Sequence, residues 1–231
     1  MDEGAVVHID YDLFNVESGD LIETTREATA KEHDAHEEGK TYSPMVVIVG
    51  GGQLIEGFEE SLLEAEAGKA VQIDIPAEKA YGERNADLVE TLGLDRMMRH
   101  VRDPESMTIG SPVEINGRNG VLTYVAAGRA RIDFNHPLAG RTLRYDYEIV
   151  EVVEGNEAKA AALLESQTGH RDFDVSFDGE DVTVGIPESM MYDSNAAMLK
   201  FRLVGSLRDT LGASKVTFQE VHEPRAIDEE E

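Results

Sequence analysis

Alternation of apolar and polar positions opens the chain. Val7, Ile9, Tyr11 and Leu13 share one face of an extended segment, and His8, Asp10 and Asp12 the other. A period of two predicts a half-buried strand. Ser18-Gly19-Asp20 predicts a turn, and a second strand begins over 21–25. Residues 26–43 are polar and charged, which predicts a loop or a frayed helix. Pro44 then opens an apolar run, Met45 to Val49, ended by Gly50-Gly51-Gly52. Leu54, Phe58, Leu62 and Ala65 recur at helical spacing and predict a short amphipathic helix closed by Gly68-Lys69. Val71, Ile73 and Ile75 alternate as a strand stopped by Pro76. Far downstream the alternation returns: Leu143, Tyr145, Tyr147 and Ile149 oppose Thr142, Arg144, Asp146 and Glu148.

Between these runs, residues 85–133 have a different texture. Arg96, Arg99 and Arg102 stand beside Met97, Met98 and Val101, and two or three short strands are predicted over 107–134, with turns at Asn116-Gly117 and Asn119-Gly120. The pattern is that of an excursion out of one sheet and back into it. Gly155-Asn156 marks a boundary. Beyond it the sequence predicts a helix over 157–167 and a hairpin pairing Phe173, Val175 and Phe177 with Val182, Val184 and Ile186 around Asp178-Gly179. A second helix follows, with Asp193 or Ser194 as N-cap, Leu199, Leu203 and Leu207 at steps of four and Gly212 past its end, and then a last strand. An αββαβ unit of this size can bury its own core. The acidic tail 228–231 is expected to be disordered.

Charge narrows the function classes. The 231 residues carry 47 Asp and Glu against 21 Lys and Arg, a net charge of −26. A nucleic-acid surface needs clustered cations, and an anionic membrane would repel this chain, so neither partner is expected. The acids are spread along the whole length, and salt screens the repulsion between them. We read this as adaptation to the salt-rich cytosol of a halophile. Cysteine is absent, which excludes disulfide scaffolds, thiolate zinc sites and cysteine nucleophiles. With no secretory h-region at Met1-Asp2-Glu3-Gly4 and no apolar run of spanning length, the expected location is the cytoplasm.

Three constellations invite a chemical reading. The strand, glycine-rich turn and helix at 46–55 suggest a dinucleotide site, with Asp74 about 20 residues on as a ribose-binding acid. Ile55, however, stands where the third glycine of that fingerprint belongs, so a nucleotide-binding oxidoreductase is the lesser alternative. His33 and His36 would share a helix face and could bind a metal there, against a plain reading as a solvated acidic loop. The serines form no Gly-x-Ser-x-Gly elbow, and no carboxylate pair stands out from the many solvated acids. Tyr11, Phe58, Tyr81 and Tyr145, taken singly, read as core packing.

Their contexts, however, are those of a family. Gly52-Gln53-Leu54-Ile55-Glu56-Gly57-Phe58-Glu59, Gly68-Lys69 and Pro76-Ala77-Glu78-Lys79-Ala80-Tyr81-Gly82 closely resemble FKBP-type peptidyl-prolyl cis-trans isomerases, as does Ser18-Gly19-Asp20-Leu21-Ile22-Glu23. Ala80-Tyr81-Gly82, followed about 50 residues later by Asn135-His136-Pro137-Leu138-Ala139-Gly140, resembles the SlyD-like and long archaeal branch. The resemblance implies an α+β fold with an FKBP-like antiparallel sheet wrapped on a short helix. It divides the chain into an isomerase domain (1–84 and 134–153), a small β-rich insert-in-flap chaperone domain (85–133) and a C-terminal α+β domain (154–231).

Carried over by position, the resemblance gives a prolyl pocket of Tyr11, Ile22, Met45, Leu54, Ile55, Phe58, Tyr81 and Tyr145. Phe58 is its floor, the Ile55 N–H and Tyr81 hydroxyl bind substrate carbonyls, and Glu23 takes the place of the family's Asp. Glu23 is a methylene longer than that Asp, Met45 replaces a frequent aromatic, and Phe58 replaces Trp or Leu. These departures keep open a second reading, a folding chaperone with a weakly active or inactive pocket. In the insert, Leu88, Leu92, Leu94, Met97, Met98 and Val101 are candidates for holding unfolded clients, for packing the insert's own core, or for both. The expected partners are unfolded or proline-containing polypeptides and, through the C-terminal domain, a second copy of the chain. No cofactor is implied.

Overall fold

A computed structural model describes residues 1–99 and 108–222. In chain order the elements begin β1 (Val6–Asn15), β2 (Leu21–Thr24), α1 (Glu27–Glu32), β3 (Met45–Ile48), α2 (Glu56–Glu64), β4 (Ala70–Ile75), β5 (Val89–Gly93), α3 (Leu94–Met98), β6 (Pro112–Ile115), β7 (Arg118–Ala126) and β8 (Arg129–Asp133). They continue β9 (Leu143–Val152), α4 (Asn156–Thr168), β10 (Asp174–Asp178), β11 (Asp181–Gly185), α5 (Glu188–Met191), α6 (Ala196–Leu211) and β12 (Val216–Gln219). The architecture is mixed α+β, dominated by antiparallel sheets. The chain divides into two compact units.

The first unit comprises Met1–Phe14, Leu21–Ile73 and Tyr145–Glu231. Its sheet runs β2-β1-β9-β4, with β3 also paired to β1. The alternating residues of β1 and β9 bury one face: Val7, Ile9, Tyr11 and Leu13 from β1, and Tyr145, Tyr147 and Ile149 from β9. Phe58 and Leu62 of α2, four residues apart and so on one side of the helix, are fully buried. The opposite face is covered too. Val6, Val46, Ile48 and Val153 pack with Ala162 and Leu163 of α4 and Leu211 of α6. Burial of a side chain such as Leu163 stabilises the contact by about 1.5–3 kcal/mol.

In the C-terminal part, β10, β11 and β12 form a three-stranded sheet, antiparallel between the first two and parallel between the last two. The parallel pair needs a crossover, which α6 supplies. Leu199, Leu203 and Leu207 of α6 join Leu164, Val182, Val184, Ile186 and Met190 in one core. Gly212 ends α6 with φ 68°, the left-handed conformation in which glycine is favoured. The αββαβ expectation is met with one addition, the short α5. The N-cap of α6 is Asn195 rather than Asp193 or Ser194, and Asp193 instead accepts the Asn195 N–H.

The second unit comprises Asn15–Asp20 and Asp74–Arg144. Its sheet runs β5-β8-β7-β6 with every pair antiparallel. Sequence reasoning missed β5, and it placed a turn at Asn119-Gly120 where the chain continues inside β7. Met97 of α3 closes a small core of Val113, Ile115, Leu122, Ala130 and Ile132, with Leu92, Leu94 and Phe134 packed against it. The Arg118 guanidinium lies 4.0 Å from the Phe134 ring centroid and shields it from solvent. Among the described residues no helix is long and apolar enough to cross a membrane.

Candidate functional site

The strand registers decide which candidates meet. Directly paired residues of antiparallel strands project from the same face. Glu23 pairs with Leu13, and Met45 with Ile9, so both lie on the face that carries Tyr11. Tyr145 reaches the same face from β9. Its ring is 5.7 Å from Tyr11 and stacks on Phe58 at 4.2 Å with 19° between planes. Tyr147 meets Phe58 edge-on at 5.0 Å, and its hydroxyl is 2.7 Å from Ser61 Oγ. Burial raises the Tyr147 pKa, and the Ser61 hydrogen bond opposes that shift in part. The result is an aromatic cluster built from β1, β9 and α2. Phe58 is 0% exposed, and Tyr11 and Tyr145 are buried.

The remaining candidates of the first unit lie nearer solvent. Leu54 and Ile55 are half-buried and lead directly into α2. Ile22 sits beside the irregularity in the β1–β2 pairing and is exposed, as is Glu23. The buried acid of this corner is Asp12, which sequence reasoning passed over as a solvated position. Asp12 accepts hydrogen bonds from Thr24 Oγ1 and Arg26 Nη1, each at 2.5 Å. Arg26 also donates to the Asp10 and Asp146 carbonyls, and Thr25 Oγ1 donates to Asp10 and accepts the Tyr11 N–H. This network ties β1, β2 and β9 together around Tyr11.

The glycine-rich turn is no anion site. The Glu59 carboxylate accepts the N–H groups of Gly50, Gln53 and Leu54 at 3.0, 3.0 and 3.1 Å. Those are the amides a pyrophosphate would need. Asp74, the supposed ribose ligand, forms a two-pronged pair with Arg144 at 2.7 and 2.9 Å. The dinucleotide reading fails on both counts. The histidines diverge as well, because α1 ends at Glu32. His33 packs edge-on to Phe14, and His36 stacks on Tyr42. Among the described residues no group of His, Asp or Glu is arranged to hold a metal ion.

In the second unit, Tyr81 is 39% exposed, and its ring lies flat on His136, centroids 4.0 Å apart with 6° between planes. His136 entered the sequence reading only as part of a motif. The insert candidates divide. Met97 is core, Leu92 and Leu94 flank it, Leu88 is half-buried and Met98 is 39% exposed. Val101, like Arg102, lies outside the described residues. Tyr124 and Val125 of β7 are also exposed, and sequence reasoning did not select them.

A separate cavity of about 1030 Å³ in the first unit lies between strands β1, β3 and β9 and helix α4, lined by His8, Met45, Glu151, Ala158, Ala162 and Arg171 among others. The His8 Nε2 is buried without a hydrogen-bond partner among the described residues.

The family model described as FKBP-type peptidyl-prolyl cis-trans isomerase matches residues 2–91, and one described as FKBP26_C-terminal matches 156–223. The short-type peptidyl-prolyl cis-trans isomerase of Methanocaldococcus jannaschii is 32% identical over 150 residues, 65% of this chain and 92% of the relative. The FKBP-type peptidyl-prolyl cis-trans isomerase SlyD of Treponema pallidum is 31% identical over 166 residues, 71% and 86% of the two chains. The FKBP-type 16 kDa peptidyl-prolyl cis-trans isomerase of Escherichia coli is 29% identical over 117 residues, 50% and 78%.

Proposed function

The chain belongs to the FKBP-type peptidyl-prolyl cis-trans isomerases, and from that footing we propose that it accelerates X-Pro isomerisation in unfolded and partly folded polypeptides through the Tyr11–Phe58–Tyr145 cluster. One observation carries this reading. Aromatic side chains from two strands and a helix converge on one face, with the Leu54–Ile55 backbone beside them in sequence and no nucleophile among them.

The chemistry suits such a site. Rotation about an X-Pro bond breaks no covalent bond, and its barrier of about 18–20 kcal/mol comes from lost amide conjugation. Water stabilises the planar, polar imide. A dry aromatic wall does not, and so favours the twisted state in relative terms. A fixed N–H donor can follow the carbonyl as it turns. In this reading Tyr11, Met45, Leu54, Ile55, Phe58 and Tyr145 shape the wall, with Ile22 and Glu23 at its solvent side.

The insert, 85–133, holds unfolded segments through exposed apolar groups, among them Met98, Ile109, Tyr124 and Val125 of the described residues, while Met97 serves its core. The isomerase domain is then 1–84 with 134–153, and 154–231 forms a third domain. The exposed Met198 and Phe201 of α6, the latter 78% exposed, and the nearby Tyr192 support a homodimer through that third domain. Its setting is the cytoplasm.

The test is a protease-free isomerisation assay on an X-Pro peptide in molar salt. Catalysis by the wild type, reduced at least fivefold per folded molecule by Phe58→Ala, is the expected result. No catalysis by folded protein would overturn the isomerase reading and favour the chaperone reading, for which the complete enclosure of Phe58 already speaks.

A further inference from the structure

The three hydrogen bonds to Glu59 stop one residue short of Ile55. Its carboxylate takes the N–H groups of Gly50, Gln53 and Leu54, and among the described residues the Ile55 N–H has no backbone or side-chain acceptor. Glu59 is the fourth residue of α2 and reaches back over the start of its own helix. Backbone dipoles make that end positive, so a carboxylate there is favoured, and three charge-assisted bonds hold it. The segment between β3 and α2 is thereby fixed from within the protein.

We propose that Glu59 is the positioning residue of the prolyl site: by clamping the Gly50–Leu54 turn it leaves the next amide, that of Ile55, rigid and free to donate to the substrate carbonyl. This deepens the isomerase reading and rests on it. Glu59 does not touch substrate. Its effect passes through the direction of one N–H, and a misplacement of about 1 Å can cost two orders of magnitude in rate. A side chain that merely stabilised the turn would change the amount of folded protein and leave turnover per folded molecule alone.

The variant Glu59→Gln separates these roles. It keeps the volume but turns one acceptor atom into a donor, so at least one of the three amides loses its partner. Glu56→Gln, on the exposed side of the same helix turn, is the control. Peptide isomerisation is followed by exchange NMR, which gives kcat and KM on folded protein, alongside amide shifts of residues 50–55. We expect Glu59→Gln to fold, to displace the Leu54 and Ile55 amide shifts and to lower kcat/KM about tenfold, chiefly through kcat. Wild-type kinetics in a variant whose amides have moved would overturn the proposal.

Hydrogen exchange on the wild type gives a second line that needs no variant. Gly50, Gln53 and Leu54 amides should be protected, and Ile55 should exchange freely until an X-Pro peptide is added. Free exchange at the first three, or no protection of Ile55 by peptide that is being isomerised, would equally sink it. Should the wild type show no catalysis at all, the isomerase reading fails, while protection at Gly50, Gln53 and Leu54 still reports on the clamp.

Discussion

Phe58 lies nearly flat on Tyr145, centroids 4.2 Å apart, and meets Tyr147 edge-to-face at 5.0 Å. Each such ring pair adds about 0.5–1.5 kcal/mol beyond the area it buries. Phe58→Ala would empty the centre of the cluster at a cost of about 3–5 kcal/mol. Phe58→Leu keeps most of the apolar volume and loses the stack. It should remain cooperatively folded in denaturant titrations and stay within about threefold of the wild type in kcat/KM on a short X-Pro peptide, since leucine still fills the floor under the cluster, whereas folded Phe58→Ala should lose at least fivefold. Undiminished turnover by a folded Phe58→Ala protein would detach this cluster from the chemistry.

Asp12 and Arg26 form the polar counterpart behind Tyr11. Asp12 is almost enclosed, whereas about a third of the Arg26 side chain reaches solvent. Asp12→Asn removes the charge and turns one of the two acceptor oxygens into a donor, so Thr24 and Arg26 no longer each have their own, at a cost of about 1.5–3 kcal/mol, with the lower half favoured by the solvent access of Arg26. Arg26→Gln should cost a similar amount. The double variant should cost less than the sum, because the two changes remove one interaction. Strict additivity in a double-mutant cycle by chemical denaturation would show that the two residues are not coupled.

Much of this arrangement was legible in the alternation of residues along the chain. The period of two over 7–13 and 143–149 placed Tyr11 and Tyr145 on core faces, and the helical spacing of Phe58 and Leu62 brought them inward. Asp12 was misread because a polar residue on the outer face is usually solvated. Its burial depends on Thr24 and Arg26, twelve and fourteen residues away. The Glu59 clamp was unreadable for a similar reason, since an acid on a helix gives no sign that it bends back onto amides before the helix. In the insert, Asn-Gly is the strongest short hairpin signal, and at Asn116-Gly117 it holds, with φ of 54° and 74°. The same pair at Asn119-Gly120 lies inside a strand, while the real turn before β8 uses Ala127 at φ 50°, a conformation alanine seldom takes.

Asp74 and Arg144 give the protein a measurable response to acid. The Arg144 hydrogen bonds hold the Asp74 carboxyl below its ordinary value of 3.8. A carboxylate with a depressed folded pKa contributes stability above the unfolded value and loses it as pH falls through the folded one. The pair lies at the surface, so its effect is modest. Arg144→Gln should therefore melt below the wild type at pH 7, and the gap should close as the pH drops from about 4 toward 2. Thermal melts at half-unit steps of pH would show it. A gap that widened with acid would mean that the pair is not what Arg144 contributes.

Gly120 offers a way to separate the two activities. A Cβ at this position would sit 2.8 Å from Ile132 Cγ2 and Phe134 Cδ1, and 2.9 Å from the Asp133 carbonyl oxygen. The side-chain neighbours belong to the insert's core and its margin, and the carbonyl is backbone, so none can withdraw freely. Gly120→Ala should cost about 1–3 kcal/mol, felt first in β7 and β8 as faster amide exchange. A short X-Pro peptide needs only the prolyl site, and its isomerisation should stay within about twofold of the wild type. On the proposal that the insert holds unfolded clients, suppression of client aggregation should fall several-fold as the sheet loosens. Equal losses in both assays would mean that the insert and the prolyl site unfold together, and that holding and isomerisation are not separable in this chain.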